Sequence, residues 1–127
     1  MQDEPTPIEL TRAVADFLRT DIAAMVSGHN AFKLRVAINA LDLVTRQLTL
    51  EQGSDAKEAE RLAALLGISG SVMELNRMLA ERIAKGEADL GTPGLAKHLW
   101  QTTMEKLAVD QPNYASYKRE LARDEDE

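Results

Sequence analysis

Two capping boxes and a series of glycine stops divide this chain into helices before any side-chain periodicity is considered. Thr6-Pro7-Ile8-Glu9 supplies an N-cap, a first-turn proline and a glutamate three residues after the cap. In that arrangement side chains satisfy the orphan N–H groups of a helix start. It predicts a first helix running to about Val26, ended by Ser27-Gly28. A second helix is expected from about Asn30 to Leu50, before Gln52-Gly53-Ser54, and a third from about Asp55 to Gly67. Ser71-Val72-Met73-Glu74 repeats the capping box and opens a fourth helix that closes at Gly86. Thr92-Pro93 opens a fifth, which the Pro112 region terminates, leaving a short helical segment around Asn113 to Leu121. The expectation is an all-α protein: a single-domain bundle of five to six helices over residues 1–122, then an acidic mobile tail at 123–127.

Composition agrees with helices and removes several classes of protein. Ala and Leu number 18 and 17 against 6 Val, 5 Ile and 5 aromatics, a balance that favours helix over strand. No apolar run approaches the roughly 20 residues that span a bilayer. The start, MQDEPTP, carries acids where an export or transit signal carries bases, and there is no Cys. Disulfides and thiolate chemistry are thereby removed, and a reducing, cytoplasmic setting is expected. Of 21 acids and 15 bases, five acids and one Arg lie in the last eight residues, so the body before them is nearly balanced. Nucleic-acid binding normally needs clustered Lys and Arg, and no such patch is visible.

Residues placed at 100° intervals give the second helix apolar side chains around most of its circumference, from Phe32 and Val36 to Val44 and Leu48. It is expected to be the central helix of the bundle. Its polar residues form one seam, Arg35, Asn39, Asp42 and Arg46, with Asp42 and Arg46 in the favourable acid-first i,i+4 order. That seam reads either as the solvated strip of the helix or as a groove wall that meets an anionic ligand or a partner's carboxylate. The first helix shows an apolar stripe of Leu10, Val14, Phe17, Leu18, Ile22 and Met25, interrupted by Asp21. A carboxylate there either pairs with a base such as Arg35 or marks a break at Thr20-Asp21. Asn76 sits similarly among Val72, Leu75, Leu79 and Ile83, where a buried amide usually satisfies neighbouring polar groups and fixes register.

Catalytic signatures are missing. Gly67-Ile68-Ser69-Gly70-Ser71 resembles a nucleophile elbow, but it ends in Ser and follows a helix where the elbow needs a strand. The two histidines, His29 and His98, lie in no Glu-x-x-His or HExxH unit, so no metal site is expected. His29 reads as an exposed turn residue and His98 as an edge residue. No phosphate-binding glycine loop is present, and no cofactor is expected. Residues 62–79, LAALLGISGSVMELNRML, have helix-turn-helix spacing, but five acids and five bases over 55–85 leave the proposed DNA face neutral. On the fifth helix the expected core face is Leu95, Leu99, Trp100, Thr103 and Leu107. Lys106, Asp110, Gln111, Tyr114 and Tyr117 cluster at its exit, either as tyrosines packed over a helix end or as a docking surface.

Three strings, FKLRVAINALDLVTRQL, ELNRMLAERIAKGE and KLAVDQPNY, together resemble a bacterial family of small helical domains of unknown function. Genes of that family often stand beside kinases of the aminoglycoside-phosphotransferase type and acyl-CoA dehydrogenases. The resemblance implies a non-catalytic accessory or interaction subunit for such a partner enzyme, and it argues against the DNA-binding reading. It carries no catalytic residue, and leaves Arg35, Asn39, Asn76, Asp110 and Tyr114 as candidate positions. The alternative class is a domain that binds a small anionic molecule at the Arg35/Asn39/Asp42 seam.

Overall fold

The structure, a computed structural model, describes residues 3–127 and is all-helical over them. The α-helices are α1 (Pro7–Phe17), α2 (Gly28–Leu66), α3 (Val72–Ala84), α4 (Leu95–Asp110) and α5 (Ala115–Asp126). Both capping boxes form. Thr6 N–H donates to Glu9 Oε2 at 2.7 Å while Glu9 N–H donates to Thr6 Oγ1 at 3.2 Å. The Ser71–Glu74 pair does the same at 3.1 and 3.2 Å. The bond from the Ser71 N–H holds the Glu74 carboxyl below the usual carboxylate range.

Three boundaries differ from the sequence expectation. Gln52-Gly53-Ser54 does not end a helix: α2 runs through it as a single helix of 39 residues, because a glycine inside a helix costs only about 1 kcal/mol relative to alanine. The same place nevertheless matters, since the chain divides into two compact units, one ending at Glu51 and the next beginning at Gln52. The first helix does not reach Val26. It gives way at Leu18 to one π-helical turn (Leu18–Ile22) and a 3₁₀ turn (Ala23–Met25). The acidic end, read as a tail, is helical as far as Asp126.

In the first unit α1 lies antiparallel to the start of α2, since Thr11 meets Thr45 at 2.8 Å and Arg19, in the π-helical turn after α1, meets Asp42, earlier in α2, at 2.6 Å. The strip between the helices is narrow, with Ala15 and Ile38 its buried members. Thr11, Leu18 and Ile22 flank it, half-buried. The stripe expected to be core is instead exposed: Leu10, Val14, Phe17 and Met25 all reach solvent. Nor is α2 covered on all sides, because Phe32, Val36, Val44, Leu48 and Leu50 are exposed as well.

The second unit has a conventional interior. Leu62 and Leu66 from the end of α2, Leu75 and Leu79 from α3, Ala88 from the following loop and Leu95 from α4 form one buried cluster, with Leu65 and Met78 packed against it. Gly67, at φ +70°, supplies the left-handed residue that stops α2, its N–H bonded to Ala63 O at 2.8 Å. Leu62 is 0% exposed. Leu62→Ala is therefore expected to lower unfolding free energy by about 3 kcal/mol through lost transfer energy and an unfilled cavity. The check is a urea melt whose midpoint falls while its slope is unchanged; a shift of a few tenths of a kcal/mol would mean the cluster is not the unit's core.

Candidate functional site

A connected polar network lies beside that core. Arg61, on the last turns of α2, sends two guanidinium N–H bonds to the Glu105 carboxylate on α4, at 3.0 and 2.7 Å. Its Nε donates to His98 Nδ1 at 3.3 Å and its Nη2 also reaches Thr102 Oγ1 at 3.3 Å. His98, Thr102 and Glu105 share one side of α4 because their spacings of four and three residues return to the same face. Bonding to the Glu105 carboxylate raises the Arg61 pKa from its already high value. Nearby, Asn76 Nδ2 on α3 donates to Glu58 Oε1 on α2 at 2.7 Å.

His98 is 3% exposed, so it is an interior residue and not an edge one. Burial lowers its pKa, and the adjacent Arg61 charge adds to that shift, while Glu58 and Glu105 oppose it. Because Nδ1 accepts from Arg61, the neutral ring carries its proton on Nε2. A folded pKa below the unfolded one means the unfolded chain binds more protons between the two values. His98 therefore contributes stability above about pH 6.5, the unfolded imidazole value, and that contribution is lost as pH falls toward the folded value. Unfolding midpoints measured from pH 7.5 to 5.5, with His98→Gln as control, are expected to decline more steeply in the wild type. Parallel curves would show that His98 titrates as it does in the unfolded chain.

Beside this network the second unit has an open cleft of about 520 Å³. Lys57, Glu60, Arg61, Lys97, His98 and Gln101 supply its polar lining, and Ala64, Leu65 and Pro93 its apolar one. The start of α4 forms one edge. Gly94 caps that helix at φ +84° without a side-chain cap, and a Cβ there would meet Leu65 Cδ2 at 3.3 Å, so glycine serves both the backbone angle and the close approach.

The residues singled out from sequence fall elsewhere. Arg35 and Asn39 are exposed on α2, and Asp42 and Arg46 are half-buried there. Asp42 takes its ion pair from Arg19 of the π-helical turn at 2.6 Å, and Arg19 also meets Asp16 at 3.0 Å. Asp21 stands exposed in the π-helical turn. Lys106, Asp110 and Tyr114 are exposed near the α4–α5 junction, whereas Tyr117 is only 9% exposed and so offers no docking surface. The inward side of α4 runs through Leu95 and His98, while Leu99, Trp100 and Thr103, expected in the core, face solvent. Arg61 and Glu105 were not singled out. The available signal was the polar i, i+4, i+7 series on α4, which an apolar template passes over.

No three or more His, Asp or Glu side chains among the described residues are grouped so as to hold a metal ion. No helix among them is long and apolar enough to cross a membrane. No curated protein and no solved structure matches the chain. A family described as a domain of unknown function, DUF6285, matches residues 23–114, a span that includes α2, α3, α4 and every residue lining the cleft. With most of its length inside that match, the chain belongs to the DUF6285 family of domains of unknown function.

Proposed function

We propose that this protein is a non-catalytic interaction subunit whose first unit docks a partner enzyme in the bacterial cytoplasm. The observation that carries the reading is the apolar surface of residues 10–50. Nine large apolar side chains there are exposed, with Phe17 at 52%, Phe32 at 55% and Met25 at 80%, while only Ala15 and Ile38 are buried. If a fully exposed large apolar residue presents roughly 200 Å², these nine together expose on the order of 900 Å² around the hairpin, and Leu10, Val14, Phe17, Val44 and Leu48, which share one side of it, about half of that. An apolar face on the order of 450 Å² is of the size of the largest patch on a monomeric protein, which often serves binding.

The surface is also organised. Asp42 stands about 60° around α2 from Thr45, and Arg19, in the π-helical turn after α1, pairs with it, so the Arg19–Asp42 contact marks the polar side of the hairpin. Arg12 and Asp16 fall on that side of α1, and Arg35, Asn39 and Arg46 on that side of α2. Turned the other way by similar angles are Leu10, Val14 and Phe17 on α1 and Val44 and Leu48 on α2. On α2 the apolar arc continues around the helix to Val36 and Phe32. A partner helix laid on this side would meet apolar side chains from both helices.

The resemblance to a family encoded beside kinase-like phosphotransferases and acyl-CoA dehydrogenases names the enzymes to try first. Size-exclusion chromatography with light scattering, on the chain mixed with each of these from the same genome, tests the reading. A stoichiometric complex with one of them is expected. Separate elution of every mixture, or a wild-type chain that buries this surface in a homodimer, would count against it. The exposed Arg35/Asn39 side and the Lys106, Asp110 and Tyr114 end are secondary contact candidates. Helix-turn-helix DNA binding is disfavoured by the charge balance over 55–85.

A further inference from the structure

We infer that the cleft between the end of α2 and the start of α4 binds a small organic anion, a carboxylate or phosphate group carried on a short apolar body. Charge placement is the first reason. Residues 52–127 contain 14 acids and 10 bases, yet the cleft is lined by three bases, Lys57, Arg61 and Lys97, against one acid, Glu60. A local excess of positive charge inside an acidic unit does not follow from its composition. Lys57 and Lys97 are exposed and their ammonium groups make no ion pair among the described residues, whereas Arg61 is committed to Glu105. Two mobile point charges thus stand at the opening, and a fixed guanidinium lies deeper.

The interior of the cleft gives the second reason. His98 lines it while almost wholly buried, is kept in the Nε2–H form by the bond from Arg61, and so offers a neutral donor in a confined place. The Gln101 amide adds a further donor. Ala64, Leu65 and Pro93 supply an apolar wall, so the ligand has a hydrocarbon portion as well as a charge. Apart from the imidazole of His98, which is almost wholly buried, no lining side chain carries an aromatic face that a nucleobase could stack on. The volume, about 520 Å³, is in the range of small-molecule sites. This inference uses residues of the second unit alone, so it stands or fails apart from the docking surface of the first.

The test is a titration of the full chain, followed by amide and imidazole NMR, with inorganic phosphate and butyrate as separate probes. Saturable shifts at Lys57, Arg61 and residues 94–98 are expected with at least one probe. Affinity should be weak, as small probes allow. Saturation by phosphate alone would assign a phosphoryl ligand, and by butyrate alone a carboxylate. In the double variant Lys57→Ala/Lys97→Ala, whose substitutions lie on the surface and spare the core, affinity should fall about tenfold or more. His98→Gln should weaken binding while the lysine cross-peaks still report the anion. Absence of saturation with both probes, or shifts unchanged in the double lysine variant, would overturn the assignment.

Discussion

Arg61→Ala should lower unfolding free energy by about 3 kcal/mol, one of the largest losses expected of any single substitution in this chain. The side chains of Arg61 and Glu105 are 18% and 24% exposed, so neither is freely solvated. Removing the guanidinium strips Glu105 of two charge-assisted bonds and leaves His98 Nδ1 and Thr102 Oγ1 without this partner. Full burial of such a pair would place the cost at roughly 3–5 kcal/mol, and residual exposure puts it at the lower end. The double variant Arg61→Met/Glu105→Leu removes both charges and should lie within about 1 kcal/mol of the wild type, since no charge is then left unpaired. Urea denaturation of the two variants distinguishes the cases. Equal, small losses in both would mean that water already solvates the pair.

Val14→Asp combined with Phe17→Asp should abolish partner binding, a loss of about a thousandfold or more, without unfolding the protein. Both residues are exposed, so the substitutions add charge to a surface and bury none, and the urea midpoint should move little. In the complex the same carboxylates would be buried against apolar groups with no base supplied to meet them. Arg35→Ala/Asn39→Ala, on the polar side of the hairpin, is the matched control and should bind nearly as the wild type does. Retained binding in the aspartate variant with loss in the polar-side variant would transfer the docking surface to the seam.

Helix starts were legible because a capping box is local: Thr6 with Glu9 and Ser71 with Glu74 need only three residues of context, and both formed. Gln52-Gly53-Ser54 was legible as a boundary but not as its kind, since the helix passes through a glycine whose penalty is small while the chain divides into two units there. The first helix misled for a different reason. Its stripe Leu10–Val14–Phe17 has core periodicity, but periodicity says only that residues share a face, not what covers that face. In the second unit the apolar pattern did find Leu75 and Leu79, whereas Arg61 met His98, Thr102 and Glu105 through contacts 37 to 44 residues distant in sequence. Pairings at that separation depend on the tertiary fold. Asn76 lies between these cases: its place in an apolar face signalled a satisfied amide, but only the fold shows Glu58 as its partner.

The central claim is that the apolar side of the α1–α2 hairpin is where a partner sits. Hydrogen–deuterium exchange on the chain alone and in a purified enzyme complex tests it most directly, because protection is read segment by segment. Slowed exchange concentrated in residues 7–25 and 32–50, with the remainder of the chain little changed, is the expected result. Protection confined to residues 52–127, or none in a complex shown to be intact, would contradict it.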